Sequence, residues 1–150
     1  MSADKGRSEN TIRIAFNEPG GRAHTNSTNV PVDLAVNTWI RHIEPLKTLE
    51  FELGARAVTG AATGFNWLQN FFLAWRGRCS VDFIPVHLYD NFKELTSHIG
   101  LVRQAYPNTT IWISEHAYND LPLSESQKFI IQVLNILTGS NKIRSRFDCA

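Results

Sequence analysis

Short apolar segments rich in β-branched residues alternate along this chain with longer stretches whose apolar residues recur every three to four positions. The first pattern is that of buried strands, the second that of helices with one buried face. Residues 11–16 (TIRIAF) read as a strand. Pro31 then opens a helix whose apolar positions are Val32, Ala35, Val36, Trp39, Ile40 and Ile43, and Pro45 ends it or lies just past its end. Residues 51–58 read as a strand interrupted by Gly54 and Arg56. Leu68, Phe71, Phe72 and Trp75 form the next helical stripe, and residues 81–86 (VDFIPV) the next strand. Asn91 caps a helix with Phe92, Leu95, Ile99 and Val102 on one face, stopped by Pro107. Residues 110–113 (TIWI) make another strand. Ser124 and Gln127 have capping-box spacing ahead of Phe129, Ile130, Val133, Leu134 and Leu137, with Gly139 as the C-terminal cap. A last strand begins at Ile143.

Alternation of strands and helices predicts a parallel sheet. The strand starts fall near residues 11, 51, 83, 110 and 143, an average spacing of 33. A (β/α)8 barrel spends about 31 residues per unit. A doubly wound sheet has a similar rhythm but usually carries a Gly-rich phosphate loop after its first strand. Here that place holds Asn17-Glu18-Pro19-Gly20-Gly21, which has neither phosphate-loop spacing. The expectation is therefore an α/β fold of (β/α)8 TIM-barrel type. With four units and part of a fifth, it is expected to be truncated to roughly strands four to eight. Residues 1–10 read as a polar tail and 11–150 as part of one catalytic domain, whose open sheet edges imply self-association.

Composition narrows the partners. Among 150 residues, Lys plus Arg number 15 and Asp plus Glu 14, which gives no electrostatic case for nucleic acid. No apolar run approaches the roughly 20 residues of a membrane span. Met1 to Glu9 has no apolar core of a secretory signal. Two cysteines, Cys79 and Cys149, without a Cys/His cluster exclude a disulfide scaffold and a structural zinc site, so no metal or other cofactor is expected. Four Trp, nine Phe and three Tyr suit either a core or a sugar-lined cleft.

In a parallel α/β protein the site is built where the strands end. The polar groups at those ends are Asn17 and Glu18, then His87 and Tyr89, then Ser114, Glu115 and His116. Two carboxylates arriving at one face, Glu18 and Glu115, are the equipment of glycoside hydrolysis: one protonates the leaving oxygen, and the other attacks the anomeric carbon or activates water. Asn17 can hydrogen-bond a sugar hydroxyl. His87 and Tyr89 can tune the second carboxylate, and Trp112 and Tyr118 can stack on sugar. Each of these also has a structural use: a glutamate after a strand as a solvated loop charge, His87 as an interior histidine, the helical aromatics as core.

The set Phe16-Asn17-Glu18-Pro19, Gly64-Phe65-Asn66-Trp67-Leu68, residues 79–84 (CSVDFI), His87-Leu88-Tyr89 and residues 111–115 (IWISE) resembles glycoside hydrolase family 128. These are the fungal alkali-sensitive-linkage-protein-like glycosyl hydrolases, and the resemblance runs from about Ile12 through nearly the whole chain. It implies a barrel that cleaves β-1,3-glucan of fungal-type cell walls with retention of configuration. Glu18 then resembles the acid/base and Glu115 the nucleophile. Asn17 resembles the partner of the sugar 2-hydroxyl, and His87 and Tyr89 match the family's His-x-Tyr. The resemblance implies a secreted or cell-wall protein. Ala55-Arg56 stands where the family often has Ser-Pro, and Leu88 where it has Trp.

Two rival readings come from other classes. One is a non-catalytic β-glucan-binding or cell-wall protein that keeps the aromatic cleft. The other is a metal-dependent hydrolase using His87, Glu115 and His116.

Overall fold

A computed structural model describes residues 12–16, 30–59, 62–117 and 122–145; for 58–59 and 144–145 it describes the backbone only. Six strands, β1 (Ile12–Ile14), β2 (Glu52–Gly54), β3 (Val58–Thr59), β4 (Phe83–Leu88), β5 (Thr110–His116) and β6 (Ile143–Ser145), form one sheet. Every pairing is parallel. The spatial order is β1-β2-β4-β5-β6, with β3 also on β4, so the chain steps from each strand to its neighbour in one direction. The four α-helices are α1 (Val32–Thr38), α2 (Ala62–Trp75), α3 (Phe92–Ala105) and α4 (Leu123–Thr138).

The helices share one face of the sheet. Ile84, Val86 and Leu88 of β4 and Ile111 and Ile113 of β5 form a single cluster with Leu68 of α2, Leu95, Ile99 and Val102 of α3, and Phe129 and Val133 of α4. Leu53 of β2 and Ala15 continue that layer against Ala35 and Val36 of α1, Trp39, and Phe71 and Trp75 of α2. Burying each large side chain contributes about 1.5–3 kcal/mol. Phe71 meets Trp39, Trp75 and Phe72 edge-on, with ring centroids 5.8, 5.1 and 5.9 Å away. The aromatic stripe of α2 is thus core. β4 is buried on both faces, as expected for a central parallel strand.

Several elements differ in detail from the sequence expectation. The strand expected over 51–58 is two short strands, β2 and β3, separated by Ala55-Arg56-Ala57. Gly54 pairs with Phe83 and Val58 with Val86, so four residues advance against three, a one-residue bulge. The strand expected over 81–86 begins and ends two residues later, because Asp82 is used as an anchor before the strand starts. Its carboxylate accepts from the Leu53 amide at 2.7 Å and takes an ion pair from Lys47. Pro45 lies just past the first helix, as expected. A π turn, Trp39–Ile43, shifts the ladder so that Pro45 falls at the start of a 3-10 helix, Glu44–Leu49, where its missing N–H costs nothing. Left-handed Glu50 then ends the run. Ser124 lies inside α4 instead of capping it: Pro122 takes the N-cap position, with φ held at −55° by its ring. Gly139 is the C-terminal cap of α4 as expected, yet right-handed, with its amide on the Asn135 carbonyl at 3.1 Å. Asn91 caps α3, its side chain accepting from the Glu94 amide at 3.0 Å.

On the face away from the helices, the Phe83 ring crosses the sheet over Gly54 and stacks on Trp112, with centroids 4.6 Å apart and planes at 28°. A Cβ at Gly54 would lie 2.5 Å from Phe83 Cε2 and Cζ. The ring, held by Trp112, has little room to move. Gly54→Ala is expected to destabilise the fold by about 1–3 kcal/mol in a denaturant titration, the usual cost of overpacking.

Candidate functional site

Strand alternation would send Glu115 the wrong way. Ile111 and Ile113 point into the helical layer, and residue 115 would follow them with a period of two. The register between β4 and β5 changes that outcome. Val86 pairs with Ile113, but the next residue, His87, pairs with Glu115. Ser114 is therefore an extra residue in β5, a bulge that turns Glu115 onto the face carrying Phe83, His87 and Trp112. Its hydroxyl donates to the Val86 carbonyl at 3.4 Å. One residue later the sides exchange again: His116 pairs with Leu88 and sits against the Phe129 ring, 5.7 Å between centroids, on the helical side.

The turned carboxylate meets two partners from the end of β4. Tyr89 Oη donates to Glu115 Oε2 at 2.6 Å, and His87 Nδ1 lies 3.4 Å from the same oxygen. His87 is buried, with 4% of its side chain exposed, while Glu115 is 43% exposed. A rigid imidazole and a phenol thus orient a carboxylate that still faces solvent. Such a group can attack an electrophilic carbon or take up a proton. Of the residues singled out from sequence, Glu115, His87 and Tyr89 are brought together. Trp112 shares their face but lies nearer the start of β5, stacked on Phe83. Asn17, Glu18 and Tyr118 lie outside the described residues, so the separation of the two carboxylates does too.

The trio His87, Glu115 and His116 does not converge, since His116 is on the opposite side of the sheet. Burial lowers its pKa below the ordinary histidine value, which favours the uncharged ring against Phe129. Among the described residues no group of three His, Cys, Asp or Glu side chains is placed to hold a metal ion.

One residue that sequence reasoning passed over as a site element is Arg56. It is fully buried, and its guanidinium carbon lies 4.1 Å from the Phe16 ring centre and 3.8 Å from that of Trp67. Burial pushes its guanidinium down to about 9, so it remains a cation at pH 7. The available signal was a lone charge between two alanines inside a strand-like segment (ELGARAVT).

The family model for the glycosyl hydrolase catalytic core matches residues 2–147. The chain belongs to that family. No curated protein sequence matches this glycosyl hydrolase chain. Among solved structures it is similar to an endo-β-1,3-glucanase of glycoside hydrolase family 128, subgroup IV, from Lentinula edodes. That match has 23% identity and a TM-score of 0.76, and covers 91% of this chain and 53% of the other. An exo-β-1,3-glucanase of subgroup VI from Aureobasidium namibiae has 16% identity and a TM-score of 0.80, over 96% of this chain and 57% of that one. A subgroup VII oligosaccharide-binding protein from Cryptococcus neoformans has 19% identity and a TM-score of 0.75, over 94% and 59%. These likenesses carry the fold: the glycosyl hydrolase chain spans little more than half the length of each of these structures.

Proposed function

We propose that this chain forms the part of a retaining β-1,3-glucan hydrolase that holds both carboxylates, with Glu115 as nucleophile and Glu18 as acid/base. The observation that carries the reading is the Glu115 carboxylate, turned to the end of β5 and held by Tyr89 and His87. The one-directional parallel sheet with its helices on one face supports an arc of a (β/α)8 barrel, corresponding to strands four to eight. Residues 11–150 act in this reading as one portion of a catalytic domain. The glucanase neighbours support a β-1,3-glucan as substrate. Asn17 then contacts the sugar 2-hydroxyl, while Trp112 and Tyr118 contribute apolar faces to the glucan. A cell-wall polymer places the work of the protein outside the cell.

The oligosaccharide-binding neighbours favour a second reading, in which the same cleft binds glucan without cleaving it. Turnover separates the two. On an aryl β-glucoside with a good leaving group, Glu18→Ala is expected to retain the first step, because that step needs little acid help. Azide should then restore much of the turnover and give the retained glycosyl azide. Glu115→Ala with azide should instead give the inverted product. Glucan binding with no hydrolysis by the wild-type chain would select the binding reading.

A further inference from the structure

The irregular segment between β2 and β3 buries a cation where an apolar side chain would serve the core better. Arg56 is 0% exposed, and none of its three guanidinium nitrogens has an acceptor among the described residues. A buried guanidinium with unmade hydrogen bonds is a net cost to stability. Aromatic faces offset part of that cost. The guanidinium carbon lies over the Phe16 ring at 4.1 Å from its centre and over the Trp67 ring at 3.8 Å, with Phe71 at 6.0 Å. Trp67 in turn stacks on Phe71, with centroids 5.2 Å apart and planes at 22°.

The residues tied by this stack are specific. Phe16 follows β1 and has a φ of 63°, a left-handed conformation that a bulky aromatic adopts only when its surroundings impose it. Trp67 Nε1 donates to the Val30 carbonyl at 3.0 Å. Phe16 and Val30 are the residues immediately before and after segment 17–29, which contains Asn17 and Glu18. A single hub, Arg56 with Trp67, therefore joins both roots of that segment, and Phe16 sets the direction in which the chain leaves β1.

We propose that Arg56 is a positioning residue: clamped between Phe16 and Trp67, it fixes the root of the segment that carries Asn17 and Glu18. This rests on the reading of Glu18 as acid/base, but the clamp itself can be tested without turnover. In Arg56→Met, amide exchange of the peptide covering residues 16–30 is expected to accelerate about tenfold or more, as local opening becomes easier, while exchange in β4 and β5 stays as in wild type. The melting temperature should hold or rise, because an unpaired buried charge has been replaced by an apolar chain of similar length. Arg56→Lys should restore little of the protection, since a compact ammonium lacks the flat faces that stack. Trp67→Phe, which keeps a ring but loses the N–H to Val30, should accelerate the same peptide and serves if Arg56→Met does not fold. Unchanged exchange in that peptide, or acceleration spread evenly through β4 and β5, would overturn the proposal. In the kinetic arm, Arg56→Met should lose more rate on laminarin than on an aryl glucoside with a good leaving group, because only the proton donor is misplaced. Equal losses on both substrates would also overturn it. A wild-type chain that turns over neither substrate would count against the proposed hydrolase alone, with the exchange result still deciding the clamp.

Discussion

Glu115→Gln is expected to lower the turnover of laminarin by about 10,000-fold or more, the scale seen when a covalent nucleophile is removed. The amide keeps the size of the side chain and can still accept from Tyr89 Oη, which is 2.6 Å from Oε2 in the native chain. It cannot form the glycosyl-enzyme ester. Glucan binding should therefore survive while turnover disappears, and calorimetric titration beside a reducing-sugar assay reads the two separately. The melting temperature should shift little, because Glu115 is 43% exposed and its contacts lie at the rim of the sheet. A variant that retained near-normal turnover would remove Glu115 from the chemistry.

Inserting an alanine between Ser114 and Glu115 should abolish turnover as completely, by a different route. With Ser114 still the extra residue of the bulge, the alanine takes the place opposite His87, and Glu115 moves on to pair with Leu88, on the side of Ile111 and Ile113. The carboxylate would enter the layer occupied by Leu88 and Phe129, away from His87 and Tyr89. Burying it there costs about 3 kcal/mol or more, so the melting temperature should fall as well. Ser114→Ala keeps the chain length and hence the bulge. It loses only a 3.4 Å hydroxyl contact and is expected to stay within severalfold of wild-type turnover. An insertion variant as active as Ser114→Ala would show that the bulge does not place Glu115.

Much of the architecture was legible because local patterns carry it. The apolar periodicity of α2 and α3 marks the faces they bury, and Asn91 does cap α3, whereas α4 buries Phe129 and Val133 and leaves Ile130 and Leu134 of its expected stripe exposed. His-x-Tyr and Ser-Glu at the ends of two successive strands identified groups that do meet. The misreadings share a cause. At Ser124 a residue's usual role was assigned from its type, whereas Pro122 decided where α4 begins. Likewise residues 51–58 looked like one strand interrupted by Gly54 and Arg56, since the side-chain pattern of so short a stretch does not show a one-residue bulge.

The sequence by itself determined that strands and helices alternate, that the sheet is parallel, and that Glu115 lies near the end of one strand while His87 and Tyr89 lie at the end of its neighbour. Those facts follow from spacing along the chain, which hydrophobic burial reads directly. Only the tertiary structure decided which way Glu115 points, because the side of a sheet depends on register with the neighbouring strand, and the bulge at Ser114 exists only in the pairing with β4. It alone also decided that His116 leaves the site for the helical layer. And it alone turned Arg56 from an interruption in a strand into a hub: the two rings that its guanidinium lies over come from the end of β1 and from α2, and nothing short of the packed fold brings them together.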